Sequence, residues 1–401
     1  MDSVAAGDGN PQPSQGLAAY YAASGTPPGV FLGAGLADLD GGRGVAAGSL
    51  VSEDHLYRML VELCDPVSGE PLGRAPRSSS AGTAPVAGFD LTFSVPKSVS
   101  VAWALGDDAT KAVILDCHRR AVAFVLGYAE RHVFCSRSGA NGVVTEDVSG
   151  VVATAFTHWS SRADDPQLHE HCVVWNRARS VSDGRWRTLD SRALFKAVTT
   201  LSELNQGVLS DYLTEALGAA WEPRRRRHSD RPRYELAGVD VDLMAEFSRR
   251  AEQVATASQE LTQRFVAEHG RQPGVVESMR LRQWATVASR PGKSHQSLAE
   301  LTASWQARAA AFVPADGGDA FAAGLAGRNE LPLLASGDLE DGVLADAAST
   351  VVAAVADRRA TYGRHNLLAE AHRLLHGVRF SSPEERVALA ERVADLAVGQ
   401  S

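Results

Sequence analysis

His169 and His171, in the run DPQLHEHCVVWN, are one residue apart, and that spacing constrains the local fold more than any other feature of the chain. Side chains alternate on a β-strand with a period of two, so a strand puts both imidazoles on one face, whereas a helix would point them apart. His158, in AFTHWSSR, lies eleven residues upstream, across Asp164, Asp165 and Pro166, which read as a turn. Folding the two segments back on that turn brings His158 opposite His169 and His171. Three imidazoles then converge on one point with room for outside ligands, as in an open, catalytic metal site rather than a closed structural one. A His-x-His pair alone arises by chance often enough to mean little. The third histidine at hairpin distance tips the balance toward a metal site.

The surrounding pattern is α+β, a central antiparallel sheet backed by helices. FDLTFSVP alternates apolar and polar residues up to Pro96 and reads as a strand. KSVSVAWAL and the long amphipathic run DATKAVILDCHRRAVAFVLGYAERH read as helices, as do about 190–220 and 241–312. Strands are expected at GVVATAFTHWSS, LHEHCVVWNRAR and RWRTLD, and a hairpin at AWEPRRRRHSDRPRYELAGV. Four units follow: a flexible N-terminus at 1–16, a main domain at 17–312, a Gly/Asp/Ala-rich linker at 313–342, and an Ala-rich helical segment at 343–401.

Composition narrows the function classes. No apolar run reaches membrane-spanning length, and the N-terminus lacks the basic and apolar regions of a secretory signal, so a cytoplasmic protein is expected. Four cysteines at unpatterned spacings suggest reduced thiols. The net charge of −8 argues mildly against bulk electrostatic binding of nucleic acid. From residue 315 onward, however, thirteen acidic and eight basic residues carry most of that excess, which leaves room for a basic cleft upstream. No G-x-x-x-x-G-K-[ST] loop occurs. SRPGKSH has Val287 where the first glycine must lie, so ATP binding is not expected.

Two long blocks, GFDLTFSVPKSVSVAW at 88–103 and THWSSRADDPQLHEHCVVWN at 157–176 continuing through GRWRTLDSRALF, together with the pair Tyr20-Tyr21, resemble the active-site signature of the MobF-type conjugative relaxases. These are HUH nickases that start plasmid transfer. The resemblance spans about 17–312, and TYGRHNLLAEAHRLLHGVRFSSPEE is similar, less specifically, to the stretch that leads into the helicase part of relaxase-helicases. It implies strand-specific nicking and rejoining at a transfer origin through a 5′-phosphotyrosyl intermediate. Tyr20 is then the nucleophile, with Tyr21 as its stand-in. His158, His169 and His171 would hold a divalent ion (Mn, Mg, Zn, Ni or Co) on the scissile phosphate. Asp90 matches the family carboxylate near the tyrosine and a metal histidine, either as a base or to orient an imidazole. Lys97 and Arg162 are candidate phosphate contacts. Arg74 and Arg77 flank a polar ribbon suited to a DNA hairpin's major groove. The expected partners are single-stranded DNA with an adjacent hairpin, accessory transfer proteins and a coupling ATPase, with no membrane insertion.

The chain departs from that pattern in two places. Ser24 to Gly29 stand where many members carry a second tyrosine pair, and the short strand that precedes the tyrosines is not evident. The competing readings are a rolling-circle initiator or transposase of HUH type, an inactive DNA-hairpin-binding module, and a metallohydrolase that activates water and needs no tyrosine.

Overall fold

The computed structural model describes residues 27–74, 86–226, 229–292, 296–313 and 324–400. Tyr20, Tyr21 and Arg77 lie outside them. Its centre is a four-stranded antiparallel sheet in the order β1-β5-β6-β2, built from β1 (Val30–Leu32), β2 (Gly88–Ser94), β5 (Ala153–Ser160) and β6 (Pro166–Trp175). Two small ribbons intervene in sequence, β3 (Cys135–Ser138) with β4 (Val144–Asp147), and β7 (Ala178–Arg179) with β8 (Trp186–Arg187). RWRTLD thus contributes only a two-residue strand.

Register sorts the side chains of the sheet between its two faces. His169 pairs with Ser94 and His158, and His171 with Thr92 and Phe156. Cross-strand partners in an antiparallel sheet share a face, so all three histidines lie on one face together with Asp90, Thr92 and Ser94. Glu170, Cys172, Leu168 and Phe93 take the other face. That second face is the hydrophobic one, where Phe89, Phe93, Leu168, Cys172 and Val174 pack among residues of α1 (Lys97–Leu105), α2 (Asp108–His132) and α3 (Ser191–Leu217). Asp107 caps α2 by accepting from the Thr110 amide at 2.7 Å, and Asp190 caps α3 through Arg192. Gly218, left-handed at φ 63, ends α3.

Among the described residues, a hydrophobic cluster covers one end of the histidine face. There Phe31, Leu36, Leu56, Met59 and Leu72 form a small core with Phe156, Val173 and Trp175. The histidine end of the same face is not part of this cluster, because polar groups occupy it.

Beyond α3 come the hairpin β9 (Trp221–Arg226) and β10 (Ser229–Leu236), then α4 (Val241–Glu246), α5 (Arg249–His269), α6 (Val275–Ala288) and α7 (Leu298–Ala309). The C-terminal bundle has β11 (Leu333–Leu334), α8 (Asp341–Ala356), α9 (Arg364–Leu374), β12 (Arg379–Phe380) and α10 (Pro383–Gln400) around its own core of Leu344, Val351, Leu389 and Val393. β11 pairs in parallel with β12, and the Gly327 and Asn329 amides donate to the Leu217 and Gly218 carbonyls at the end of α3. The bundle docks on α3 through buried charge. Arg386 grips Asp211 by a fork of 2.6 and 2.8 Å, and Arg373 pairs with Glu203.

Candidate metal centre

Strand alternation and the hairpin between β5 and β6 bring His158, His169 and His171 together. One ligand atom from each lies within 4.8 Å of the others, and the ring centroids are 4.9 to 5.2 Å apart. No other group of three His, Cys, Asp or Glu side chains meets this criterion among the described residues.

Hydrogen bonds fix which nitrogens face one another. Asp90 Oδ2 lies 2.8 Å from His171 Nδ1, and the Gln167 carbonyl lies 2.8 Å from His169 Nδ1. Both partners are acceptors, so each Nδ1 carries the proton and donates it. The lone pair is thereby placed on Nε2, the arrangement that orients an imidazole toward a metal and raises its basicity. Three imidazoles converging from two strands form a donor set suited to a divalent ion of borderline softness. The residues therefore fit the metal that the sequence implies.

Behind the sheet the chemistry differs. Glu170, between the two histidines in sequence, points to the helical face and is buried beside His118 of α2 at 4.0 Å. Burial pushes the His118 pKa down to about 3, which keeps that ring neutral, and raises that of Glu170. Cys172 is fully buried on the same side, and its thiol pKa is raised by desolvation. Neither Glu170 nor Cys172 shares the face of the imidazoles.

The other candidates are spread more widely. Asp90 joins the histidines through His171. Lys97, at the start of α1, donates to the Pro166 and Phe247 carbonyls at 2.8 and 2.9 Å, so its ammonium serves to pin backbone next to the hairpin. Arg162 sits half-buried in the turn between β5 and β6. Arg74 is exposed, and its carbonyl accepts from Arg177. Arg224, from the basic run, bonds Glu222 and the Val239 carbonyl. The sequence reading missed Asp165, taken only as a turn residue. It is buried, with its carboxylate held by Arg249 and Arg308. No local signal marks it, because those partners are 84 and 143 positions away.

One approach bears on the tyrosines. A Cβ at Gly29 would fall 2.3 Å from the Phe156 ring, so only glycine lets the backbone pass there. Phe156 is the register partner of His171. The chain leading back toward Tyr21 therefore starts beside the histidines. The six Cα–Cα steps from Tyr21 to Pro27 can span at most about 20 Å.

Comparison with known proteins agrees with this geometry. The family model described as TrwC relaxase matches residues 2–312. The multifunctional conjugation protein TraI of Escherichia coli is 30% identical over 192 residues, which are 45% of this chain and 10% of TraI. The chain thus spans about a tenth of that relative's length. Two solved structures, of the conjugative relaxase TrwC in complex with oriT DNA in metal-free and in metal-bound form, each superpose with a TM-score of 0.58 at 29% identity, covering 74% of this chain and 94% of theirs. Among the described residues, no helix is long and apolar enough to cross a membrane.

Proposed function

Because the chain belongs to the TrwC relaxase family, we propose that it nicks and rejoins one DNA strand at the transfer origin of a plasmid or integrative element, and so initiates conjugative transfer. The observation that carries this reading is the histidine trio, with the Nδ1 protons of His169 and His171 tied down and a family-matching carboxylate beside them.

The roles follow from chemistry. His158, His169 and His171 would hold a divalent ion, which when bound neutralises the scissile phosphate and orients it for in-line attack. Asp90 orients the His171 ring. Its bond to Nδ1 favours this role over that of a base for the tyrosine. Tyr20 attacks through its phenolic oxygen, with Tyr21 as the alternate. The new oxygen–phosphorus bond replaces the bond to the departing 3′-oxygen, which leaves as a 3′-hydroxyl; one proton is given up by the phenol and one taken up by the 3′-oxygen, so the exchange is proton-neutral overall. The phosphotyrosyl link conserves the bond energy for rejoining, which water would discard. Arg162, Arg74 and Arg77 remain the candidate DNA contacts. Lys97 is the weakest of the four, since its ammonium already holds two carbonyls.

Residues 17–312 are the proposed nicking unit, and 343–401 the segment leading toward a motor domain. The substrate is single-stranded DNA with a neighbouring hairpin, encountered in the cytoplasm. Cleavage of transfer-origin oligonucleotides in the presence of Mn²⁺, abolished by EDTA and by His171→Ala, tests the reading. Hairpin binding without cleavage would favour an inactive recognition module.

A further inference from the structure

The turn that joins β5 to β6 is held from outside to an unusual degree. Ala163, Asp164 and Asp165 of the turn, and Pro166 at the start of β6, are each taken by a side chain from a remote helix. Arg249 Nη2 donates to the Ala163 carbonyl at 2.6 Å, and Trp305 Nε1 to the Asp164 carbonyl at 2.8 Å. The Asp165 carboxylate, 1% exposed, accepts from Arg249 Nε at 2.9 Å and Arg308 Nη1 at 3.0 Å. Lys97 Nζ donates to the Pro166 carbonyl at 2.8 Å and also to Phe247, while Arg308 continues to the Glu246 carboxylate and carbonyl. Asp164 itself is left-handed at φ 57, a conformation that costs free energy unless its surroundings enforce it.

Strand pairing does not fix this end of the hairpin. The register between β5 and β6 breaks between His158 and Ser160, immediately after the first histidine. The ladder pairs His158 with His169 on its last regular rung, so His158 borders the irregular end of the hairpin, where a hold on the turn bears on it directly. Metal ligands must be placed to within about 0.5 Å, and that precision comes from the groups behind them. A buried carboxylate with two guanidinium partners also costs desolvation, so it is better explained by positional specificity than by stability.

We propose that Asp165, Arg249, Arg308 and Lys97 form a positioning clamp that couples the helices at 249–309 to the metal hairpin, setting His158 against His169 and His171. The clamp rests on the metal reading above. Arg249 is more exposed than Arg308 or Asp165. It is the first residue of α5, a helix with no buried residue, and with α6 it forms a hairpin whose outer face exposes Val275, Val276, Met279, Trp284 and Val287. Displacement of that helical hairpin would be felt at the turn through Arg249.

The test is titration of the full chain with Co²⁺, whose d–d absorption reports ligand geometry, alongside thermal melting of the metal-free protein. Arg249→Ala is the main variant because its side chain is 49% exposed and Asp165 keeps Arg308. It should bind Co²⁺ about tenfold more weakly, with an altered spectrum, while melting like the wild type. Arg249→Lys, which keeps one donor, should lie between. Arg271→Ala, which breaks an exposed ion pair elsewhere in the same helical hairpin, should leave Co²⁺ binding unchanged. Wild-type affinity and spectrum in Arg249→Ala would overturn the clamp. A loss in Arg271→Ala equal to that in Arg249→Ala would overturn it too. If the wild type itself takes up no Co²⁺, or takes it up equally after His171→Ala, the metal reading fails first.

Discussion

Replacing Arg386 by alanine should loosen the C-terminal bundle from the catalytic sheet, and the structure sets the scale. Arg386 is fully buried. Its guanidinium donates to both Asp211 oxygens at 2.6 and 2.8 Å, to the Leu375 carbonyl at 3.0 Å and to the Val378 carbonyl at 2.9 Å, and stacks over Phe380 at 4.6 Å. Removing it strands the Asp211 carboxylate in the interior with only the Phe380 amide and Arg379, at 3.8 Å, for company. Breaking a buried pair by deleting one partner costs about 3–5 kcal/mol. Unfolding entropy of about 2.1 cal/mol/K per residue gives about 0.8 kcal/mol/K for a chain of this length, so a loss of 4 kcal/mol lowers the melting temperature by about 5 °C. Differential scanning calorimetry of the full chain measures this. Arg386→Met combined with Asp211→Leu should recover most of the loss, because an apolar pair leaves no orphaned charge. A single variant that melts within about 1 °C of the wild type would refute the reasoning and make the bundle a loosely tethered appendage.

Three other perturbations follow from the same coordinates. Asp90→Asn removes the charge from the acceptor of the His171 proton, so Mn²⁺ affinity by calorimetric titration should fall about 10–100-fold with little change in melting; equal affinity would remove Asp90 from the site. Gly29→Ala forces the Phe156 ring aside next to His171, so stability should drop by about 1–3 kcal/mol in denaturant unfolding and nicking should fall with it. His372 is fully buried, and desolvation, aided by Arg386, depresses its pKa to about 3. The unfolded chain protonates it near pH 6.5 and the folded chain does not. Stability is therefore present above that value and lost as pH falls, by about 2 kcal/mol between pH 7.5 and 5, and His372→Leu should flatten that slope in urea titrations at the two pH values.

How much of this was legible in the sequence depended on the range of the signal. Alternation over two residues placed His169 and His171 on one face, and a turn at 164–166 brought back His158; the sheet register bears this out. Glu170, between them, fell to the opposite face by the same rule. The long helix at 108–132 followed from its amphipathic periodicity, and the helices read at KSVSVAWAL and about 190–220 are found at 97–105 and 191–217. What escaped were contacts between distant residues. The clamp on Asp165 and the fork of Arg386 on Asp211 join residues 84 to 175 positions apart, and neither partner carries a local mark. The run 313–342, read as a linker, contains β11, whose parallel pairing with β12 was equally invisible, since a two-residue strand has no period. Lys97 read equally as a phosphate contact or a structural partner, and only the fold shows two carbonyls in its reach.

The most direct measurement incubates the full chain with single-stranded oligonucleotides spanning the transfer origin of its host element and Mn²⁺, then maps any protein–DNA adduct by mass spectrometry. The account predicts a covalent 5′-phosphate adduct on Tyr20 or Tyr21, absent with EDTA, absent in His158→Ala, and abolished when both tyrosines are replaced by phenylalanine. Cleavage that leaves no adduct and survives the double tyrosine replacement would contradict it, and would make the histidine centre a device for activating water.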